Sequence, residues 1–354
     1  MKQVLFVIAA TGMTAGAFAQ SNVTVYGSMD AGVAYVNNVG GKSVTRLDQG
    51  TMQPDRIGFR GTEDLGEGLK ANYQLEAGFS TDTGASTNAN RLFNRASTIG
   101  LSGSFGAVTL GNMPDIVFDY AGKLSNGFQL TNFYLFHPGN LDTLANTFQF
   151  NNAVRYTSPS FSGLTMSAMY GFGEVAGDNS KGRNISAGAN YVQGPLRLVL
   201  AYSKQNDRVA GYAGTFLGSL GLGNGATVFN SLTTLATGAG YTIGDVRLNG
   251  LYTQNKIELP ASSLTQKNVD LGASWHYNPA NALNLGYTHS KLEGARYNQI
   301  SVSNVYSLSK RTEVYAQAAY QRAGGTAHFA IQNNTGVSSS DSQWVTTVGM
   351  HHSF

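Results

Sequence analysis

The side chains able to do chemistry in this sequence are charged and dispersed along the chain. Three acids, Asp115, Asp119 and Asp142, lie in one stretch, residues 112–152, that is crowded with aromatics from Phe118 and Tyr120 to Phe133, Tyr134 and Phe136. A second set is Asp30, Arg56, Arg60, Lys70, Glu76, Arg155, Arg197, Arg247, Asp270 and Glu313; it occupies the polar positions of segments that alternate apolar with polar residues, and six of the ten are basic. Fixed charges of this kind set ionic preference along a narrow aqueous path, whereas a wide wet path screens them. Nucleophilic or metal chemistry has less support. The six histidines, His137, His276, His289, His328, His351 and His352, fall at no metal-ligand spacing, and adjacent His351 and His352 face opposite sides of a strand. Without Cys there is no thiolate nucleophile, thiolate metal site or disulfide framework. The run Gly221-Leu222-Gly223-Asn224-Gly225 lies in a loop, outside the strand-to-helix context that a phosphate cradle needs, and no Gly-x-Ser-x-Gly elbow occurs. No metal, cofactor or catalytic residue is expected.

The elements that must position these charges read as β-strands. From Val23 the period is two: Val23, Val25, Met29, Ala31, Val33 and Tyr35 share one face, and Thr24, Ser28, Asp30 and Gly32 the other. The same alternation returns at residues 69–79, 196–202, 246–252 and 269–277. Sixteen strands are predicted, beginning near Val23, Arg56, Leu69, Arg95, Ala107, Ala153, Thr165, Ile185, Leu196, Leu235, Val246, Asn268, Leu283, Gln299, Thr312 and Trp344. Tight turns at residues 64–68, 104–106, 159–163, 193–195, 243–245, 278–282 and 309–311 alternate with longer links. The longer links are residues 37–53, 80–94, 112–152, 172–184, 205–234, 257–267 and 322–343; only the short link near residues 292–298 breaks the pattern. An even count of antiparallel strands with short turns at one end and long loops at the other is the pattern of an outer-membrane barrel. In lipid every backbone N–H and C=O needs an internal partner, so such a sheet must close. Its apolar face then meets lipid and its charges face inward.

Termini and composition agree. Lys2, the apolar run at residues 4–10 and Ala17-Phe18-Ala19 before Gln20 read as a secretory signal, so residues 1–19 are expected to be removed and residues 20–354 to form the barrel. Loss of Lys2 from 23 basic side chains leaves the basic set only two ahead of the 20 acids, which excludes a nucleic-acid footprint. No later apolar run of about 18 residues offers a transmembrane helix. The last strand alternates Trp344, Val348, Met350, His352 and Phe354 on one face and ends on an aromatic.

Several stretches make the chain resemble the trimeric general diffusion porins of the β-proteobacterial outer membrane. They are Val25-Tyr26-Gly27, the run from Arg56-Ile57-Gly58-Phe59-Arg60-Gly61-Thr62-Glu63-Asp64-Leu65-Gly66 through Glu67-Gly68-Leu69-Lys70-Ala71, Gly100 to Gly111, Asn152-Ala153-Val154-Arg155-Tyr156-Thr157-Ser158-Pro159 and terminal Phe354. The resemblance implies an all-β, 16-stranded antiparallel transmembrane barrel passing ions and small hydrophilic solutes. It also implies a homotrimer, contact with outer-membrane lipid and lipopolysaccharide, and a C-terminal strand read by the insertion machinery. The third external loop, here residues 112–152, would fold inward as a constriction, with Asp115, Asp119 and Asp142 facing a basic wall. Arg56 and Arg95 correspond to basic positions of the family pattern and Arg155 to a motif residue; Arg60, Lys70 and Glu76 join them by parity. Two positions depart, since Asn112 and Gln149 stand where the family tends to place Arg. Strict alternation also sets Arg95 with Ile99 and Leu101 on the apolar face, unless a bulge or an early strand start intervenes. A substrate-specific channel, a barrel lipase and an adhesive barrel remain alternatives.

Overall fold

The computed structural model describes residues 22–354, so the expected signal segment lies outside the described residues. Seventeen strand segments, β1 (Asn22–Val39) to β17 (Ser342–Ser353), form one antiparallel sheet that closes where β1 pairs with β17, from Ser28 opposite Ser353 to Val36 opposite Val345. Two segments share one position in the barrel. The upper half of β1 pairs with β2 (Lys42–Gln49) and its lower half with β3 (Arg56–Gly66), so the closed barrel has 16 staves.

The break between β2 and β3 has a local cause. The buried Asp30 carboxylate accepts the backbone N–H of Met52 at 2.7 Å and of Gln53 at 2.8 Å, and the Tyr315 hydroxyl at 2.6 Å. The Asp55 carboxylate accepts the Asp30 N–H at 2.6 Å. These bonds draw residues 50–55 off the ladder and over the polar face of β1. The alternation meanwhile sorts as expected: Val25, Met29, Val33 and Tyr35 are exposed, while Ser28, Asp30, Ala34 and Val36 are buried.

The ladder runs further than the alternation suggests. The expected long link at residues 37–53 is a hairpin turning at Gly40-Gly41, and that at 257–267 shrinks to residues 259–262 between β12 (Val246–Glu258) and β13 (Ser263–Asn278). Residues 293–294 alone join β14 (Asn281–Leu292) to β15 (Ala295–Ser307). A 16-residue strand such as β11 (Val228–Ile243) is about 50 Å long, more than a band of apolar wall roughly 25 Å tall requires. The extra length carries polar residues on both faces, so it lacks the alternation by which strands are read. At the opposite end the turns are tight; Glu67 and Gly68 between β3 and β4 (Leu69–Gly78) both take positive φ, 52° and 79°, as a two-residue hairpin demands.

Residues 112–152 are strand at both ends, because β6 (Gly106–Pro114) and β7 (Gln149–Thr157) continue into them. Between them, α1 (Ile116–Tyr120) and α2 (Asn126–Gln129) stand among single 3-10 turns. Helices of five and four residues are too short to print a 3.6-residue period. Ile116, Val117 and Leu124 pack on Val199 and Ala201 of β10 (Leu196–Val209), Ala236 of β11 and Leu251 of β12. Leu130, Tyr134 and Leu135 pack on Val36, Ala319 and Val345. All of these wall residues lie on the face opposite the exposed apolar one, so the segment lies against the interior of the barrel.

Candidate functional site

The interior segment leaves cavities along the wall formed by β1 and β3–β7, and the space they line is termed the path. On that wall Glu76 is the hub. Arg95 Nε lies 2.6 Å from one of its oxygens and Arg56 Nε 3.9 Å from the other, while the Tyr26 hydroxyl donates to it at 2.8 Å. Gln74 Nε2 donates to the Tyr26 oxygen at 2.7 Å, and the Arg60 guanidinium stands 4.9 Å above the Tyr26 ring. Arg56 also donates to the Pro54 carbonyl at 3.2 Å and to Gln53 Oε1 at 3.1 Å. The guanidiniums therefore cannot collapse onto one carboxylate. Across the path Asp119, on the first turn of α1, pairs with Arg155 of β7.

Arg56, Arg60, Arg95, Arg155, Glu76 and Asp119 all border one cavity of about 540 Å³. Lys70 borders the next, about 600 Å³, towards the tight-turn end with Arg60 and Asp64. Arg95 reaches the interior because it precedes β5 (Ala96–Gly103) in a bend, so the parity of that strand does not bind it; Ile99 and Leu101 are exposed on the outer face as alternation requires.

Two expected acids are elsewhere. Asp115 is fully buried as the N-cap of α1, accepting the Val117 N–H at 3.1 Å and the Ser186 hydroxyl at 2.6 Å, and burial pushes its carboxyl up from the ordinary value. Asp142 is buried against His137, whose Nδ1 lies 2.5 Å from Asp142 Oδ2 and whose Nε2 lies 3.1 Å from Asp270 Oδ1. Burial alone would lower the His137 imidazolium, but the two carboxylates override it and hold the ring at about 10. Thr253 and Asn268 of the wall donate to Asp142 at 2.7 and 3.2 Å, and the Asn126 N–H donates to Asp270 at 2.9 Å. Asp115 and Asp142 thus anchor the segment to the wall instead of bordering the path. The reason is positional: each sits where the backbone turns towards β9 (Asn184–Gln193) or β13, not towards the basic wall.

The other polar-face charges divide similarly. Asp30 and Asp270 are buried in the anchors just described, and Glu313 lies 3.0 Å from His351 Nδ1, with no guanidinium at ion-pair distance among the described residues. Arg247 donates to Gln129 of α2 at 3.0 Å, and neither it nor Arg197 has a carboxylate within ion-pair distance among the described residues. Asn112 and Gln149 make local bonds, to the Phe93 carbonyl at 3.4 Å and the Asn146 carbonyl at 2.9 Å, and bring no cation. Sequence reasoning missed Tyr26, Gln74 and Gln53, which hold the guanidiniums apart, and Phe128, which faces the path. Tyr26 carried a signal through its place in Val25-Tyr26-Gly27, and Gln74 through the polar parity it shares with Lys70 and Glu76; Gln53 and Phe128 carried none.

Comparison with known proteins points one way. A family model described as Gram-negative porin matches residues 5–326. Outer membrane porin protein 32 of Delftia acidovorans is 30% identical, with 100% of both chains covered. An outer membrane porin protein of Bordetella pertussis is also 30% identical, over 91% of this chain and 94% of its own. Among solved structures the anion-selective porin from Comamonas acidovorans superposes with a TM-score of 0.80 at 29% identity, covering 95% of this chain and 100% of that one. The trimer form of OmpT from Vibrio cholerae, at 14% identity and a TM-score of 0.69, covers 94% of this chain and 99% of its own and shares the fold.

Proposed function

Because the chain belongs to the Gram-negative porin family, an outer-membrane diffusion channel with the fold of a 16-stranded barrel, we propose that ions and small hydrophilic solutes cross it through the path between the interior segment and the β1–β7 wall, with anions preferred. Family and fold are those of a channel rather than an enzyme. The observation that carries the ionic preference is the charge bordering the 540 Å³ cavity: the guanidiniums of Arg56, Arg60, Arg95 and Arg155 against the carboxylates of Glu76 and Asp119. Below it Lys70 and Asp64 offset one another, with Arg60 shared between the two cavities, so the positive balance lies at the level of the 540 Å³ cavity. The Comamonas acidovorans porin of similar fold is anion-selective, which accords with it. In this reading residues 112–152 act as the constriction, residues 1–19 are removed on export, three copies assemble, and the strand ending in Phe354 is the part the insertion machinery reads.

Planar-bilayer recording tests this. Wild-type protein should give steady, ohmic steps and a reversal potential of anionic sign across a salt gradient, and Arg56→Ala should move that potential towards zero. A protein that inserts without conducting would refute the channel; a cationic reversal potential would refute the preference alone.

A further inference from the structure

Beside the charged path is a third cavity, about 270 Å³, lined largely by apolar and aromatic side chains. Its walls are apolar and aromatic, with Phe118, Phe128 and Phe133 on one side and Met52 and Pro54 on the other. Phe128 is 46% exposed inside a barrel whose polar face otherwise turns polar groups to water. Its position is fixed from several sides. The Ser125 hydroxyl accepts its N–H at 3.3 Å, Asn126 is bonded to Asp270 and Thr288, and a Cβ at Gly127 would meet the Phe136 ring at 2.8 Å. A solvent-facing ring on a backbone held in this way offers apolar area to a partner ring.

The rim is cationic. Arg56 and Arg95 enter from the wall and Arg247 from β12; Arg247 donates to neutral Gln129 at 3.0 Å and, among the described residues, pairs with no carboxylate. Guanidinium donors match carboxylate oxygens in pairs. The volume falls just under the roughly 300–1,000 Å³ of sites for drug-sized molecules, which suits one ring and its substituent. The residues 50–55 break supplies the floor, so the site exists only because Asp30 pulls Met52 and Gln53 inward.

We infer that this cavity is a binding site for small aromatic carboxylates of the benzoate class, the ring stacked at Phe128 and the carboxylate at Arg247 and Arg56, placed beside the path so that such solutes are retained before they cross. The inference rests on the channel reading above and names a solute class for it. An aliphatic carboxylate satisfies the guanidiniums alone and a neutral aromatic the phenylalanines alone, so the pair selects for both features together.

The test is solute-induced block of single-channel current in potassium chloride, with benzoate, acetate and benzyl alcohol as probes. Benzoate should block saturably, and acetate and benzyl alcohol at equal concentration should not. Phe128→Leu, which keeps bulk without a π face, and Arg247→Gln should each weaken half-block by about tenfold, equivalent to 1.4 kcal/mol. Equal, non-saturating effects of benzoate and acetate on the wild-type channel would overturn the site while leaving the porin intact, whether or not the variants insert. Absence of any current before benzoate is added would overturn the channel reading itself.

Discussion

At the scale of single residues, the proposed path keeps a surplus of positive charge because four guanidiniums meet two carboxylates along its wall. Glu76 faces two guanidiniums, but the Tyr26 hydroxyl, braced by Gln74, takes part of its accepting capacity, and Gln53 and Pro54 hold Arg56 away at 3.9 Å. Asp119 offsets Arg155 alone. Substitutions on the two sides should therefore act with opposite sign. Asp119→Asn is expected to shift the reversal potential further in the anionic direction, against the shift towards zero for Arg56→Ala; the same sign for both would show that Asp119 lies outside the conducting path. A different residue effect concerns closure. Gly27 exchanges backbone bonds with Phe354 at 3.0 and 3.2 Å, and a Cβ there would come within 2.2 Å of the terminal ring. Gly27→Ala should cost about 1–3 kcal/mol through overpacking, read as an earlier loss of barrel mobility on gels as temperature is raised.

At the scale of elements, the interior segment is held by two kinds of contact that respond differently to conditions. Its apolar side packs on β10–β12 and on β1, β16 (Thr312–Gly325) and β17, and is indifferent to pH. Its polar side depends on the His137 imidazolium between Asp142 and Asp270. The folded-state value of about 10 stands above the ordinary 6.5, so this contribution is complete below pH 6.5 and is lost as pH rises through about 10. Wild-type channels should become noisier, with larger steps, as pH passes that value, and the change should reverse on return. His137→Gln leaves two buried carboxylates without their cation, a loss of roughly 3–5 kcal/mol in such settings. It should show the larger, noisier steps already at neutral pH; an unaltered conductance would mean that apolar packing suffices.

For the whole molecule, the consequence is a barrel whose shape is robust and whose selectivity is conditional. The wall charges act across a water-filled space, and the Debye length falls from about 10 Å at 0.1 M to about 3 Å at 1 M salt. Anion preference is accordingly expected to shrink steeply over that range while step size grows with the bulk conductivity; a preference unchanged at 1 M would place the selecting charges in a much drier setting. The barrel has no free edge within its 16 staves, so its integrity should not depend on ionic strength.

Much of this was determined by the sequence alone. Period-two alternation settles which face of each stave meets lipid, because a one-residue slip would bury the wrong set throughout. The one-sided tight turns then dictate an antiparallel order, and lipid forces closure. Charge identity was equally legible, so Arg56, Arg60, Arg155 and Glu76 could be assigned to the interior from parity. Tertiary structure decided what those rules do not reach. The ladders outrun the membrane because polar residues pair as well as apolar ones above it. The second stave breaks because Asp30 captures the N–H groups of Met52 and Gln53. Of the three acids in residues 112–152, only Asp119 meets the path. Asp115 caps a helix and Asp142 clamps a histidine, since a loop's side chains acquire direction only from the wall it packs against.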